Sequence, residues 1–367
     1  MKYLFLTIPI LLLTACRSDR SAYPIEGDRD ILFTEIVLDT IPVRLENTSY
    51  SGHSGVDDGR IYFLDQFFSY LYLIAPDGTP ISRSMGMGRG PNEIPLKQTS
   101  AATVRDRELL ILGSSYDYYI SEDFGTPQRK EIRVSPEDSS LEDARAYTSF
   151  SEILRSGNGK FYYNIYSESP YANPVEHSAD YFRNAHILME IDSETGTARP
   201  IGRFSDYYTE NHSRLKHLFG TVYDLTENGD FVVSHQADSM IYVSDRDFRP
   251  VRAFGFQGTG MNTDYAQAAP GWDGFNDAYL EDTTHKGYYY WLEYVDETDT
   301  TFRSYQKGSH TDRDGLQIYR GSTLIADVEV PKGFCVAGYI APYYFSRMNC
   351  DIDNKTIHFY RFKLTQP

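Results

Sequence analysis

The run Gly86-Met87-Gly88-Arg89-Gly90-Pro91 has the kind of glycine spacing that lets backbone amides approach a phosphate, with a guanidinium in its middle. A nucleotide loop hands its phosphate to the N-terminus of a following helix. Here Pro91 and a non-helical continuation stand in that place, and no Gly-Lys-Ser/Thr follows. The run reads instead as a connection between strands that needs positive φ, with Arg89 and Glu93 joined in an ion pair or Arg89 turned toward an anion. His212 and His217, in HSRLKH, lack the four-residue spacing and the Glu of a zinc-protease helix. No cysteine pair has zinc-ligand spacing. Asp-x-Asp pairs at Asp28-Asp30, Asp245-Asp247, Asp312-Asp314 and Asp351-Asp353 could offer oxygens to calcium. None opens an EF-hand loop, and turn chemistry accounts for them. Gly52-His53-Ser54-Gly55 falls one residue short of a nucleophile elbow. No metal and no cofactor is expected from these residues.

Charge narrows the partners. A formal net charge of −17 opposes binding to a phosphate backbone, which rests on concentrated Lys and Arg, so nucleic acid is not an expected partner.

The elements that must hold any site are β-strands. Of 367 residues 41% are hydrophobic and 15% aromatic, with 31 Tyr and 21 Phe, a composition that suits pleated surfaces with one wet face. A polar residue and Gly repeatedly open an aromatic or branched run: Asp58-Gly59 before Ile61-Tyr62-Phe63, Asn158-Gly159 before Phe161-Tyr162-Tyr163, Asn228-Gly229 before Phe231-Val232-Val233, and more loosely Lys286-Gly287 before Tyr288-Tyr289-Tyr290. Such dipeptides between apolar runs are the strongest short-range hairpin signals. A second turn follows about a strand later, as at Asp77-Gly78, and the two marks define a four-stranded meander. This predicts an all-β, six-bladed β-propeller with blades near residues 50–90, 98–135, 149–205, 219–257, 276–331 and 333–364. Insertions are expected at 167–184 and 258–276. The last repeat supplies three strands, so the strand Ile31 to Leu38, with Pro42 to Leu45 behind it, is expected to fill its outer edge and close the ring. Cys335 and Cys350 fall in consecutive strands of that blade, open either to a disulfide or to two buried thiols.

Residues 1–15, with one early Lys, an apolar core from Leu4 to Leu13 and small residues before Cys16, have the form of a cleavable export signal too short to span a membrane. Leu13-Thr14-Ala15-Cys16 resembles the bacterial lipobox. That resemblance implies acylation at Cys16, with palmitate-type chains, a polar tether over 16–27, a propeller over 28–367, and anchoring to the outer membrane, facing periplasm or surface.

The organisation, and Gly88-Arg89-Gly90-Pro91-Asn92-Glu93 in particular, resembles the bacterial lipoproteins described as TolB-like or NHL-like six-bladed propellers. The likeness implies the fold far more than an activity. Tyr166, Tyr171, Tyr181, Tyr207, Tyr208 and Trp272 sit near polar residues in and around the inserts, as a sugar platform would require. Trp272, Arg89, Tyr207 and Tyr208 are the candidate ligand residues, with Trp272 and its insert foremost because connecting loops converge on a propeller's channel mouth. Two functions remain open: a non-enzymatic binding or scaffold propeller with a carbohydrate or an envelope protein as partner, or a hydrolase or lyase whose metal ligands come singly from several blades at the central channel.

Overall fold

In the computed structural model, which describes residues 23–113, 116–134, 145–148, 153–168, 173–308 and 311–364, the strands form six antiparallel meanders arranged as a six-bladed propeller. The signal, Cys16 and Tyr171 lie outside the described residues. The innermost strands are Gly52–Asp57, Ala101–Arg105, Leu154–Gly157, Thr221–Leu225, Tyr288–Val295 and Val336–Ile340, and each touches the next around a closed ring. The core lies between blades rather than inside one. Val43, Ile61, Phe63, Tyr72, Phe345 and Phe359, for example, seal blade six against blade one.

The dipeptides work through backbone geometry. Asp58-Gly59 and Asn158-Gly159 both hold positive φ at each position, as the tight turn between first and second strands demands. At Asn228-Gly229 and Asp77-Gly78 only the glycine does, and Asp77 instead accepts the Thr79 N–H at 3.0 Å. Blade two makes its turn without glycine. Asp106 and Arg107 both take positive φ, and Asp57 of the neighbouring blade accepts their two N–H groups at 2.8 and 3.0 Å.

Ring closure differs from the expectation in which strand performs it. Asp39–Val43 pairs antiparallel with Thr356–Phe362 and completes blade six, whereas Asp28–Phe33 runs parallel along Thr323–Pro331 at the edge of blade five. Phe33, buried among Val295, Ile318 and Ala326, decides this placement. Further upstream, Glu26 donates to Ala253 of blade four at 2.7 Å and Ala253 donates back to Pro24 at 3.0 Å. The N-terminal segment therefore lies across the outer edges of blades four, five and six in succession.

The inserts are partly helical. Ser178–Asn184, Asp206–Glu210, His212–Leu215 and Gly271–His285 gather over blades three to five. Blade five accordingly begins at Tyr288 rather than near 276. Tyr181, Phe182, Phe204, Tyr208, Leu215 and Leu218 give this cap an apolar interior continuous with the blades beneath.

Candidate binding site at the channel mouth

The cap and the upstream ends of the inner strands of blades three to six enclose a cavity of about 370 Å³ at the mouth of the central channel. Its floor is Trp291. The indole Nε1 donates to the Val336 carbonyl at 2.6 Å, so the ring is pinned between blades five and six. The Arg347 guanidinium stands 4.9 Å from the ring centroid and that of Arg155 5.3 Å, within the range of cation–π attraction. Tyr166, Phe219 and Tyr288 supply the walls.

Deeper in the channel Arg155 meets Glu293 at 2.8 Å and Asp224 at 3.2 Å, and donates to the Leu292 carbonyl at 3.2 Å. Three blades meet at this one side chain. Burial alone would disfavour the guanidinium charge, but the two carboxylates more than offset it and hold Arg155 above its ordinary pKa. Burial pushes the Glu293 carboxyl up and the Asp224 charge adds to this, while Arg155 and Arg347 pull it the other way. Asp224 is the better served of the two, accepting the Tyr294 N–H at 2.8 Å and the Leu225 N–H at 2.9 Å.

One polar atom in the cavity wall stands out. Asn164 is 6% exposed and its Nδ2 donates to the Thr221 carbonyl at 2.8 Å, while its Oδ1 has no partner among the described residues. The orientation follows from chemistry, because a carbonyl can only accept. Beside it Gln236 accepts the Gly220 N–H at 3.0 Å and keeps Nε2 as a donor.

The residues singled out by sequence fall elsewhere. Trp272 lies on the Gly271–His285 helix, 62% exposed, at the outer end of an aromatic run through Phe275 (5.9 Å) and Phe219 (6.3 Å) to Tyr166 (5.1 Å) at the cavity. It is outside the cavity but connected to it by packing. Tyr207 is 39% exposed on the neighbouring short helix. Tyr208 is a core residue, donating to the Leu218 carbonyl at 2.6 Å and accepting the Ala237 N–H at 2.9 Å, which removes it from any ligand surface.

Arg89 is exposed on a self-closed loop that does not line the cavity. Glu93 turns back onto the Gly90 N–H at 2.7 Å, and Ile94, fully buried, anchors the loop by hydrogen bonds with Gly86 and Gly88. The stretch is thus a connection, and Glu93 holds it through backbone rather than through Arg89.

Cys335 and Cys350 are separate thiols. Cys335 packs at the channel mouth, whereas Cys350 packs between blades six and one, where burial pushes its thiol up to about 12. Of the two arrangements open from the sequence, the structure has the separate thiols, because the two side chains join different cores.

Other polar clusters join elements of the fold or cap turns. His217 meets Asp282 at 2.7 Å in full burial, tying the long helix to the ring, and His212 contacts Ser178 at 2.9 Å. Asp245 and Asp351 cap their own turns. Ser54, in Gly52-His53-Ser54-Gly55, accepts the Met348 N–H at 2.8 Å. Between blades three and four, Asp238 accepts hydrogen bonds from Ser205, Tyr242 and the Met240 N–H, so Ser205 is held by a carboxylate and not by His235. Among the described residues no group of three or more His, Cys, Asp or Glu side chains stands at metal-binding spacing.

No protein-family model and no curated protein matches the chain. Among solved structures, a member of the DUF4221 family from Bacteroides vulgatus is similar at 13% identity, covering 91% of this chain and 99% of its own, with a TM-score of 0.66. An exported protein from Bacteroides fragilis, so described provisionally, is similar at 12% identity over 92% of this chain and 99% of its own, with a TM-score of 0.50. What the likeness shows is the propeller fold. No helix of the described residues is long and apolar enough to cross a membrane.

Trp291, Asn164, Arg155 and Arg347 escaped the sequence reading because they come from three different blades and form no run in the chain. A signal was present all the same: in Tyr288–Val295 the strand period of two puts Trp291 and Glu293 on one face, and a carboxylate inside an aromatic run needs a cationic partner.

Proposed function

We propose that this chain is a lipid-anchored binding propeller of the cell envelope that holds a small ring-containing ligand at the channel mouth between blades three and six. The observation that carries the reading is the 370 Å³ cavity itself, walled by aromatic rings, floored by Trp291 and Arg347, and holding an unsatisfied acceptor on Asn164. Its volume lies near the lower end of the range of roughly 300 to 1,000 Å³ for small-molecule sites, which fits one or two rings. Export and the lipobox at Cys16 support the envelope location, as does the exported status given to the Bacteroides fragilis neighbour. The enzymatic alternative finds less support: both channel carboxylates described, Asp224 and Glu293, face Arg155, an arrangement for pairing charge.

A thermal-shift panel of sugars, sugar acids, aromatic acids and nucleosides tests the site against a Gly220→Trp variant that fills the mouth. The atoms nearest to a Cβ at Gly220 belong to the flexible side chain of Gln236, which must shift, so the variant is expected to fold. At least one class should raise the melting temperature of the native protein and not that of the variant. Equal shifts in both, or none in either, would remove the channel mouth as the site.

A further inference from the structure

The cavity walls narrow the choice of ligand and, resting on the channel-mouth reading above, we infer that it is an uncharged sugar, a neutral pyranose or a short glycan ending in one. Charge at the site is already matched. Arg155 meets Glu293 at 2.8 Å and Asp224 at 3.2 Å, and Arg347, the one cation among the described lining residues, stands in the field of the same Glu293 carboxylate. Two guanidiniums thus face two carboxylates. A charged ligand would have to compete with these pairings, and a neutral one leaves them intact.

The polar groups that remain are two carboxamides moored on consecutive residues, Asn164 on the Thr221 carbonyl at 2.8 Å and Gln236 on the Gly220 N–H at 3.0 Å. Asn164 Oδ1, in a side chain only 6% exposed and without a partner among the described residues, can only accept, whereas the Gln236 Nε2 can only donate. A hydroxyl does both, so a ring rimmed with hydroxyls answers acceptor and donor from one scaffold. The aromatic wall fits the same ring. Tyr166 and Phe219 stand edge to face at 71° with centroids 5.1 Å apart, so this wall holds no parallel slot for a flat base. A pyranose needs one ring face for its C–H groups and turns its hydroxyls outward.

Trp272 and Trp291 are the only tryptophans, so a Trp272→Phe background makes Trp291 the sole reporter at the floor. That protein is titrated with glucose, galactose, mannose, N-acetylglucosamine, glucuronate, glucosamine, adenosine and uridine. At least one neutral sugar should give a saturable fluorescence change, with an affinity that holds from low to high salt, as an uncharged ligand requires. The uronate and the amino sugar should bind no more tightly. Asn164→Ala should weaken the neutral sugar roughly tenfold, and one monodeoxy derivative should lose about as much in the native protein but nothing further in Asn164→Ala, which marks the hydroxyl that meets Oδ1. Gln236→Ala, which leaves the exposed Gly220 N–H to water, should weaken the sugar as well and replaces Asn164→Ala as the test if that variant melts early. Absence of saturable neutral-sugar binding, a charged sugar or a nucleoside bound roughly tenfold more tightly than every neutral sugar, or an affinity unchanged in both variants would each overturn the assignment. If neutral sugars fail while another class binds in a Gly220→Trp-sensitive way, the neutral-sugar inference falls and the channel-mouth site stands. Neutral-sugar binding that persists in Gly220→Trp removes the site, and the inference with it.

Discussion

Burial pushes the His235 imidazole down to about 4, Asp238 pulling only weakly the other way, with Phe204, Tyr208 and Tyr242 packed around the ring and Thr221 bonded to Nδ1 at 2.9 Å. The unfolded chain takes up this proton below about 6.5 and the native one only near 4, so stability is lost as pH falls through that window. The loss from this residue is on the order of 3 kcal/mol. Urea midpoints at pH 7.5 and 4.5 should therefore fall less for His235→Gln than for the native protein; identical falls would mean that the acid sensitivity lies elsewhere. At this scale sequence says little about which neighbour is buried. Tyr207 and Tyr208 are adjacent and chemically identical, yet one faces solvent and the other donates inside the cap. Short helices with no apolar stripe of their own offered no period from which to sort them.

The element whose role was half-readable is the N-terminal segment. A missing strand in the last blade implies closure from the N-terminus, but two candidate strands lie in tandem and their hydrophobicity favours the first. Tertiary packing reverses that order, since Phe33 fits blade five while Asp39–Val43 finds the register with Thr356–Phe362. Removing residues through 43 should therefore lower stability by several kcal/mol more than removing residues through 38, because only the longer truncation opens blade six. Denaturant midpoints of the two truncations decide it, and equal midpoints would assign closure to neither strand alone. The long helix was unreadable for a different reason. Gly271–His285 holds two glycines near its start, lacks a side-chain cap and buries Ala278 and Asp282, so neither propensity nor amphipathic spacing announced it. The Asp106-Arg107 turn, capped from the next blade by Asp57, was likewise invisible to a rule built on glycine.

The repeat of strand and turn was readable across the whole molecule because every blade solves the same steric problem, and six sheets resulted where six were counted. The channel mouth was not, since a site assembled from single residues of different blades leaves no run in the chain. On the proposed lipid anchor, Cys16→Ala should move the protein from the membrane fraction to the soluble fraction or block its processing; unchanged detergent partitioning would remove the anchor from the proposal. The belt of N-terminal backbone across blades four, five and six also bears on biosynthesis. Its residues are made well before their partners, Ala253, Thr323–Pro331 and Thr356–Phe362, which follow roughly tens of seconds of synthesis later. A copy that terminates before Thr356 leaves the Asp39–Val43 strand with nothing to pair, so incomplete chains carry an open edge on which quality control can act, and finished ones do not.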